Sequence, residues 1–243
     1  MTLSLKVVIA AAGRGTRAGL PYPKTLFEVK GQPILIRSLA CLSPWDPEPT
    51  VIVSPSGRAA VSRCLADHQA VAELIDQPMP HGMGDAVLQV RGSAAAMRAE
   101  HLLLAWGDIP FLHRDSIAAM FDVHAAHDND FTFITAVVPR AYTVVIRDAR
   151  GRVGSVIETR EQGEQEPGPG ERDIGVFIFR RAPVLALLAE DTPGKLGKAT
   201  GEHGFLYIVA HLAQRGFRIE ALPIATPKEL VSLNYLSDLM GAN

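Results

Sequence analysis

The stretch that decides the fold lies near the start of the chain, at residues 6–24, and reads KVVIAAAGRGTRAGLPYPK. It opens with a run of β-branched and small apolar residues, which is typical of a strand covered on both faces in a parallel sheet. Glycines begin at Gly13, and glycines directly after such a strand let the backbone turn so that its N–H groups face a phosphate. The stretch therefore predicts an open α/β fold with a phosphate site at the end of its first strand.

The loop does not fit a dinucleotide site, although residues 13–18 match the pattern GxGxxA. Pro21 and Pro23 would break a helix opening at this loop within about two turns. The second predicted strand, residues 50–53, runs into Ser54-Pro55, with no acidic residue to hold a ribose diol. The chain has no Walker A motif either. A dehydrogenase is therefore disfavoured.

The cations of the loop indicate a more highly charged ligand. Arg14, Arg17 and Lys24 lie within one short stretch, which is more positive charge than a diphosphate needs. A triphosphate of charge about −4 suits such a set better.

Strand-like runs alternate with helix-like stretches through the first part of the chain. This alternation predicts an α/β fold with a Rossmann-like mixed, mainly parallel sheet and helices on both faces. The predicted strands are residues 6–12, 50–53, 71–75, 101–106 and 131–138, and the clearest helices are predicted over 34–42, from 84 onward and over 117–126.

The second part of the chain follows a different pattern. Strand-like residues 142–146 and 152–158 flank a turn at 148–151 and predict a hairpin in a small β-rich insertion. Residues 161–172 are acidic and rich in Gly and Pro, which predicts a mobile surface loop or a substrate lid. Beyond it we expect strands over 173–179 and 217–223, helices over 183–188 and 205–214, and a helix after Thr226. We interpret residues 1–243 as a single domain.

Composition narrows the class of protein further. The chain has 243 residues, 47% of them hydrophobic, and a net charge of −2 without a basic run, so neither a disordered chain nor a nucleic-acid-binding protein is expected. Its apolar stretches are too short to span a bilayer, and its start lacks a signal-peptide pattern. Cys41 and Cys64 lack CxxC spacing and are expected to be reduced. These features predict a cytoplasmic protein without membrane partners.

Two further motifs follow predicted strands. Gln77 stands before Gly82-Met83-Gly84 at a predicted helix start, and its amide offers one donor and one acceptor to the edge of a pyrimidine. Asp108, in Gly107-Asp108-Ile-Pro110, lies just past a buried strand, where open α/β sheets bind ligands and a carboxylate can hold Mg²⁺.

These motifs together resemble those of the sugar-phosphate nucleotidyltransferases, and most of all the uridylyltransferase domain of the bifunctional N-acetylglucosamine-1-phosphate uridylyltransferases. The resemblance extends over nearly the whole chain as a series of spaced motifs. It implies nucleotide binding by Ala11, Ala12, Gly13, Gly15, Gln77 and Gly82, catalysis by Arg17, Lys24 and Asp108, a metal held by Asp108 and Asn234, and sugar binding by Thr143, Glu158 and Asp173.

The resemblance also implies a reaction. An NTP, with UTP or dTTP favoured, and a sugar 1-phosphate would give an NDP-sugar and pyrophosphate with Mg²⁺ as cofactor. Residues 1–140 would then form the nucleotide-binding part and residues 141–243 the sugar-binding part with the C-terminal helices. Whether the protein forms a homo-oligomer is left open.

The departures from the family pattern cluster on the sugar side. Met83 stands where the family usually has a small hydroxyl residue. Thr143 stands where relatives often have glycine, and Asp173 stands where the nearest relative has asparagine.

A cytidylyltransferase for a non-sugar alcohol phosphate such as choline phosphate is the nearest alternative. Such a site usually needs an aromatic or acidic box for the cation; aromatic residues are only 6% of the chain, and we expect no aromatic cluster for a cation. A non-catalytic regulatory protein with the same fold is the other alternative. His124 and His127 share a helix face, which is typical of a surface pair rather than a metal site.

Overall fold

The computed structural model describes residues 3–13, 15, 18–163 and 168–233. Within these residues the chain forms strands and α-helices joined by short loops and four 3₁₀ turns, Lys24–Leu26, Gln89–Gly92, Thr159–Gln162 and Pro227–Leu230. The strands are β1 (Leu5–Ala10), β2 (Glu28–Val29), β3 (Gln32–Pro33), β4 (Thr50–Val53), β5 (Glu73–Asp76), β6 (His101–Trp106), β7 (Phe131–Val138), β8 (Thr143–Arg147), β9 (Val153–Glu158), β10 (Gly170–Arg180) and β11 (Ile219–Leu222). The helices are α1 (Ile34–Leu42), α2 (Arg58–Asp67), α3 (Met83–Leu88), α4 (Ala94–Arg98), α5 (Arg114–Ala126), α6 (Arg181–Ala189) and α7 (Ile208–Gln214).

Seven strands form one mixed sheet in the order β11-β7-β10-β6-β1-β4-β5. Strand β1 lies between β4 and β6 and is parallel to both, while β10 runs antiparallel between β6 and β7. The predicted Rossmann-like, mainly parallel sheet is confirmed, and β8–β9 is the predicted hairpin. The chain moves outward from β1 to β4 and β5 and then returns to β6 on the other side. The carboxyl ends of β1 and β6 are therefore a topological switch point, the place where such sheets bind ligands.

The sheet is covered on both faces, which explains the unbroken apolar strands. Val7 and Ile9 of β1 pack into one core with helices α1, α2 and α5, whereas Val8 and Ala10 pack into the other with α3, α4, α6 and α7. Successive residues of a strand point to opposite faces, so both sets must be apolar. The second core centres on fully buried aromatic side chains, Phe131, Phe133, Phe177, Phe179 and Phe205.

Most predicted elements lie where the pattern placed them. Strands 50–53, 101–106 and 131–138 and helix 34–42 have the predicted bounds. The first strand ends at Ala10, because the following residues already turn into the glycine loop. Of the predicted loop over 161–172, residues 164–167 lie outside the described residues, and residues 170–172 already belong to β10, which begins at Gly170.

Helix α2 was not predicted from the sequence. Its buried residues are Val61 and Leu65, a single i, i+4 pair among Arg, Ala, Ser, Cys and Asp residues. So narrow an apolar stripe gives almost no periodic signal, and the two residues pack into the core that contains Val7 and Ile9 of β1.

The prediction of a surface histidine pair is wrong for His124. The His127 ring is exposed and contacts Glu220, but His124 is only 1% exposed and its Nδ1 lies 2.9 Å from the Thr132 hydroxyl. Burial lowers the pKa of His124 from 6.5 to about 3, with His101 and Arg180 acting in the same direction and Asp128 opposing them. The ring is therefore neutral in the folded protein at all but strongly acidic pH.

Among the described residues, the model contains no helix with the length and hydropathy that a membrane crossing requires. Cys41 and Cys64 are half-buried free thiols, and burial raises the pKa of Cys41 to about 11.

We predict that His124 makes the protein acid-sensitive. Between pH 6.5 and about 3 the unfolded chain binds a proton at this residue and the folded chain does not, so stability is lost as the pH falls. This group alone should change the free energy of unfolding by up to about 1.4 kcal/mol per pH unit in that window. Denaturant unfolding from pH 7 to pH 4 should show this slope in the wild type and a shallower one in His124→Asn. Replacing the exposed His68 by Asn serves as the control; an unchanged slope in His124→Asn would contradict the assignment.

Candidate active site

The candidate site is built where the ends of β1 and β6 are held together. The N–H of Gly107 donates to the Ala10 carbonyl at 2.9 Å, and the N–H of Ala11 donates to the Ile52 carbonyl at 2.8 Å. A Cβ on Gly107 would lie 2.9 Å from Ala11, so only glycine allows this approach. Both strand ends therefore open onto one edge of the sheet.

The glycine loop after β1 curls back on itself instead of starting a helix. The Gly13 carbonyl accepts from the N–H of Lys24 at 3.2 Å, and the Gly15 carbonyl accepts from Ala18 and Leu20. Gly15 has a φ of 78°, and a Cβ there would lie 2.8 Å from the Tyr22 carbonyl. The loop thus returns Lys24 to the end of β1, which a helical dinucleotide loop would not do.

Lys24 and Asp108 form the centre of the site. The Lys24 ammonium donates to Asp108 Oδ2 at 2.7 Å and to the carbonyl of Leu233 at 2.9 Å. The N–H of Leu233 in turn donates to the Asp108 carbonyl at 2.9 Å. Both charged side chains are largely buried, at 20% and 19% exposed. Asp108 Oδ1 is buried and has no hydrogen-bond partner within the described part of the chain.

Gln77 lies at the end of β5 and is 6% exposed. Its amide nitrogen donates to the Gly82 carbonyl at 3.0 Å and to the Asp85 carboxylate at 2.8 Å. Both partners are acceptors, so the orientation of the amide is set by its neighbours. In the described structure its carbonyl oxygen is left as the hydrogen-bonding group that a ligand could use.

Gly82 and Gly84 lie against the segment around His203, which leaves no room for a side chain at either position. Gly84 donates its N–H to the His203 carbonyl at 3.0 Å, and His203 donates its N–H to the His81 carbonyl at 2.6 Å. A Cβ on Gly82 would lie 2.4 Å from the His203 carbonyl oxygen, and one on Gly84 would lie 2.1 Å from that of Gly204. The turn before α3 is therefore bonded to the segment around His203.

Beside Asp108 lies a cavity of about 380 Å³. Its walls come from Met83 at the start of α3, from Trp106 and Asp108 at the end of β6, from residues 156–158 of β9, and from the segment 194–207. Gly204 lies close to both Tyr207 and Glu158, since a Cβ on it would be 3.6 Å from Tyr207 and 3.8 Å from Glu158 Oε1.

Three charged residues of the cavity wall, Glu158, Arg160 and Glu161, interact with one another. Arg160 lies 3.2 Å from Glu158 and 3.4 Å from Glu161. The Glu161 carboxylate also accepts from the Ala199 N–H at 2.8 Å and from the Thr200 hydroxyl at 3.0 Å, which ties the segment 194–207 to the end of β9. Burial raises the pKa of Glu158, Arg160 opposes this shift, and the nearby carboxylates reinforce it.

The predicted sugar-side residues do not all lie together. Glu158 lines the cavity, whereas Thr143 and Asp173 do not. Asp173 is buried; its carboxylate accepts from the Thr143 hydroxyl at 2.5 Å and from the Gly175 N–H at 2.9 Å. Burial raises the pKa of Asp173, and these two hydrogen bonds oppose that shift. Asp173 is thus no surface acid, and both of its oxygens are already engaged.

Two of the predicted site residues, Arg17 and Asn234, lie outside the described residues, although Leu233, next to Asn234, contacts both Lys24 and Asp108. Trp106 and Tyr207 both line the cavity, and the expectation that the aromatic residues form no cluster for a cation stays a prediction.

The segment 194–207 supplies one wall of the cavity, and none of its residues was among the predicted site residues. Its signal in the sequence is a density of glycines, at Gly194, Gly197, Gly201 and Gly204. Gly194 and Gly201 have a positive φ, and a Cβ on Gly197 would lie 2.6 Å from the Glu161 carboxylate.

Known proteins share sequence features and the fold of this chain. The family model of the MobA-like NTP transferase domain matches residues 7–204. The bifunctional protein GlmU of Heliobacterium modesticaldum is 30% identical over 93% of this chain and 48% of its own length. That of Streptomyces coelicolor is 30% identical over 94% of this chain and 47% of its own length. The chain thus spans about half the length of these curated relatives.

A solved structure shows the same fold. It is a Bacillus anthracis protein, provisionally described as a glucose-1-phosphate thymidylyltransferase and solved in complex with sucrose. It superposes with a TM-score of 0.77 at 16% identity, covering 98% of this chain and 94% of its own.

The fold, the loop and the matched model define the class: the chain belongs to the MobA-like NTP transferase domain family. Within that class, the resemblance to the sugar-phosphate nucleotidyltransferases is confirmed by the similarity to the GlmU proteins.

We predict that Gly84→Ala disrupts both the turn before α3 and the cavity. The added methyl group would lie 2.1 Å from the Gly204 carbonyl oxygen, so the two segments must separate. Such overpacking destabilises a fold by about 1–3 kcal/mol, and here it should also raise the KM of both substrates at least tenfold. Gly154→Ala is the control, because its methyl group would meet only the Ile146 carbonyl at 3.6 Å. Steady-state kinetics and thermal unfolding of both variants test this; unchanged KM values in Gly84→Ala would refute the coupling.

Proposed function

We propose that this domain catalyses Mg²⁺-dependent transfer of a nucleotidyl group from an NTP, UTP or dTTP by preference, to a sugar 1-phosphate. An oxygen of the acceptor phosphate forms a bond to the α-phosphorus while the bond to the bridging oxygen breaks and pyrophosphate leaves. The observation that carries the proposal is the Lys24–Asp108 pair at the switch point of the sheet, beside a cavity large enough for a sugar.

The site fits a divalent metal ion, which nucleotidyltransferases of this family generally use. Asp108 offers a buried carboxylate oxygen with no partner in the described structure, and the described residues contain no cluster of three or more metal-ligating side chains. Mg²⁺ needs only one or two protein carboxylates, since phosphates and water complete its shell. Asn234 is the proposed second ligand. The ion would neutralise phosphate charge.

The chain's own cations supply the other part of the chemistry. Lys24 is held in place by Asp108 and by the Leu233 carbonyl, so its charge is positioned before a triphosphate arrives. Arg17 is proposed to act beside it on the triphosphate. Phosphoryl transfer of this kind depends on positioning and charge stabilisation more than on covalent help. A phosphate dianion is already ionised, so no general base is needed.

The base pocket is proposed to lie along Ala11, Ala12 and Gly13, with Gln77 and Gly82 at its edge. Because the Gln77 amide nitrogen is bound by two acceptors, flipping the amide would place its oxygen against both of them. Gln77 therefore offers an acceptor to the base. The N3–H of uracil or thymine meets an acceptor directly, whereas cytosine must shift to bring its amino group there.

On the sugar side we propose Glu158 as the residue that contacts the acceptor, since it lines the cavity. Thr143 and Asp173 keep their predicted sugar-binding role only if their mutual hydrogen bond opens when the acceptor binds. The division into a nucleotide-binding part and a sugar-binding part, a cytoplasmic location and self-association also stay predictions.

A second candidate gains support from the cavity. Trp106 and Tyr207 line it together with Glu158, and aromatic faces beside a carboxylate suit a cationic alcohol phosphate such as choline phosphate. The sugar 1-phosphate is the leading candidate because Arg160 already pairs with Glu158 and offsets its charge.

We predict that Asp108→Asn lowers turnover at least about 10²-fold while the protein stays folded, because groups that stabilise developing charge are typically worth about 3–4 kcal/mol. The assay is pyrophosphate release with Mg²⁺, five nucleotides and a panel of sugar 1-phosphates and alcohol phosphates. Release with alcohol phosphates only would select the second candidate. No release with any acceptor would select the non-catalytic protein, and a folded, fully active Asp108→Asn would contradict the role of Asp108.

We predict that wild-type protein prefers UTP or dTTP over ATP and GTP at least roughly tenfold in kcat/KM, which requires only about 1.4 kcal/mol. A purine adds a ring to a turn already packed against His203. Gln77→Ala should reduce this preference and leave the Mg²⁺ dependence unchanged. A purine preference in the wild type would show that the base pocket is misplaced.

A further inference from the structure

The last described segment, which we call the C-terminal strap (residues 225–233), leads from the sheet to the candidate metal site. It begins where the Ala225 N–H donates to the Thr135 carbonyl at 3.1 Å. Midway, the Arg172 guanidinium donates to the Leu230 carbonyl at 3.0 Å. It ends at the fully buried Leu233, whose N–H and carbonyl bind Asp108 and Lys24.

One buried carboxylate joins the strap to the segment that follows Asp108. Glu229 is 1% exposed. Within the strap, its Oε2 accepts from the N–H of Thr226 at 2.9 Å and from the Thr226 hydroxyl at 3.0 Å. Across to helix α5, Oε2 accepts from the Ser116 hydroxyl at 2.9 Å, and Oε1 accepts from the N–H of His113 at 3.3 Å.

These contacts exceed what local capping requires. A capping box satisfies the first turn of a helix through contacts within that turn, and here the two bonds to Thr226 do so. The bonds to His113 and Ser116 lie on a different element. His113 follows Asp108 closely in the chain, and Glu229 precedes Leu233 closely. Glu229 therefore joins the segment that carries Asp108 to the strap, whose end contacts Lys24 and Asp108 through Leu233.

We propose that Glu229 is a positioning residue that sets the separation between Asp108 and the end of the strap, and through it the geometry of the divalent-metal site. This inference rests on the proposed function, because it takes Asp108 as a metal ligand. Glu229 itself touches neither Lys24 nor Asp108 in the described structure; it acts by holding the strap against α5. Without it, the strap loses its bonds to α5 through Glu229 and keeps those of Leu233 to Asp108 and Lys24 and of Leu230 to Arg172.

The experiment compares Glu229→Gln with the wild type by titrating Mn²⁺ in the presence of α,β-methylene UTP and following water-proton relaxation. We expect at least a fivefold rise in half-saturating Mn²⁺ and faster amide hydrogen exchange in the peptide that contains Leu233. We also expect kcat at saturating Mg²⁺ to stay within about threefold of the wild-type value, since the residue does not touch the reacting groups. An unchanged Mn²⁺ titration would overturn the proposal.

Glu73→Gln is the matched control. The Glu73 carboxylate accepts from the hydroxyls of Thr50 and Ser93 at the opposite edge of the sheet, so its loss should lower stability without moving the Mn²⁺ titration. An equal shift in both variants would mean that Glu229 is merely structural. If Glu229→Gln does not fold, Ser116→Ala removes one bond across to α5 and should raise half-saturating Mn²⁺ about twofold; no rise there would also overturn the proposal.

Asp108→Asn separates this inference from the function on which it rests. If that variant binds Mn²⁺ like the wild type, the metal site itself is misassigned and the proposal falls with it. If Asp108→Asn loses Mn²⁺ binding while Glu229→Gln keeps it, the metal site stands and the positioning role of Glu229 is wrong.

Discussion

The contact between the Lys24 ammonium and the Asp108 carboxylate, at 2.7 Å, is the interaction on which the rest of the site depends. It joins the glycine loop after β1 to the end of β6, and the Leu233 carbonyl adds the end of the C-terminal strap to the same ammonium. Both ions have lost most of their water, so the net stabilisation is smaller than their attraction suggests. Its main consequence is positional: three distant parts of the chain present their polar groups at one point.

A second constraint acts on the acceptor side. The turn before α3 and the segment around His203 are bonded backbone to backbone, and Gly82 and Gly84 have no room for a side chain. The turn next to the proposed base site and the wall of the cavity are therefore one unit. Burial also lowers the pKa of His203; Lys195 acts in the same direction and Asp85 opposes the shift. A substitution in the turn should therefore alter the cavity wall, and a substitution in the wall should alter the turn.

Local patterns were sufficient where the physical cause is local. An unbroken apolar run is typical of a strand buried on both faces, and β4, β6 and β7 lie where such runs occur. The glycine loop, Lys24 and Asp108 could be placed at one edge of the sheet because parallel strands end at a common edge. Helix α2 could not be predicted, since it carries only two buried residues. The burial of His124 could not be predicted either, since nothing in its local sequence distinguishes it from an exposed polar residue on a helix.

The sequence by itself determined the fold class, the position of the glycine loop and the resemblance to the sugar-phosphate nucleotidyltransferases, because each depends on residue types at fixed spacing along the chain. Only the tertiary structure decided which polar atoms meet. It paired Asp173 with Thr143, brought Trp106 and Tyr207 to the wall of the cavity, and set Glu229 between the strap and α5. Such contacts join residues far apart in the chain. Their partners are chosen by which buried donors and acceptors the packed elements leave within reach, and no periodicity along the chain encodes that choice.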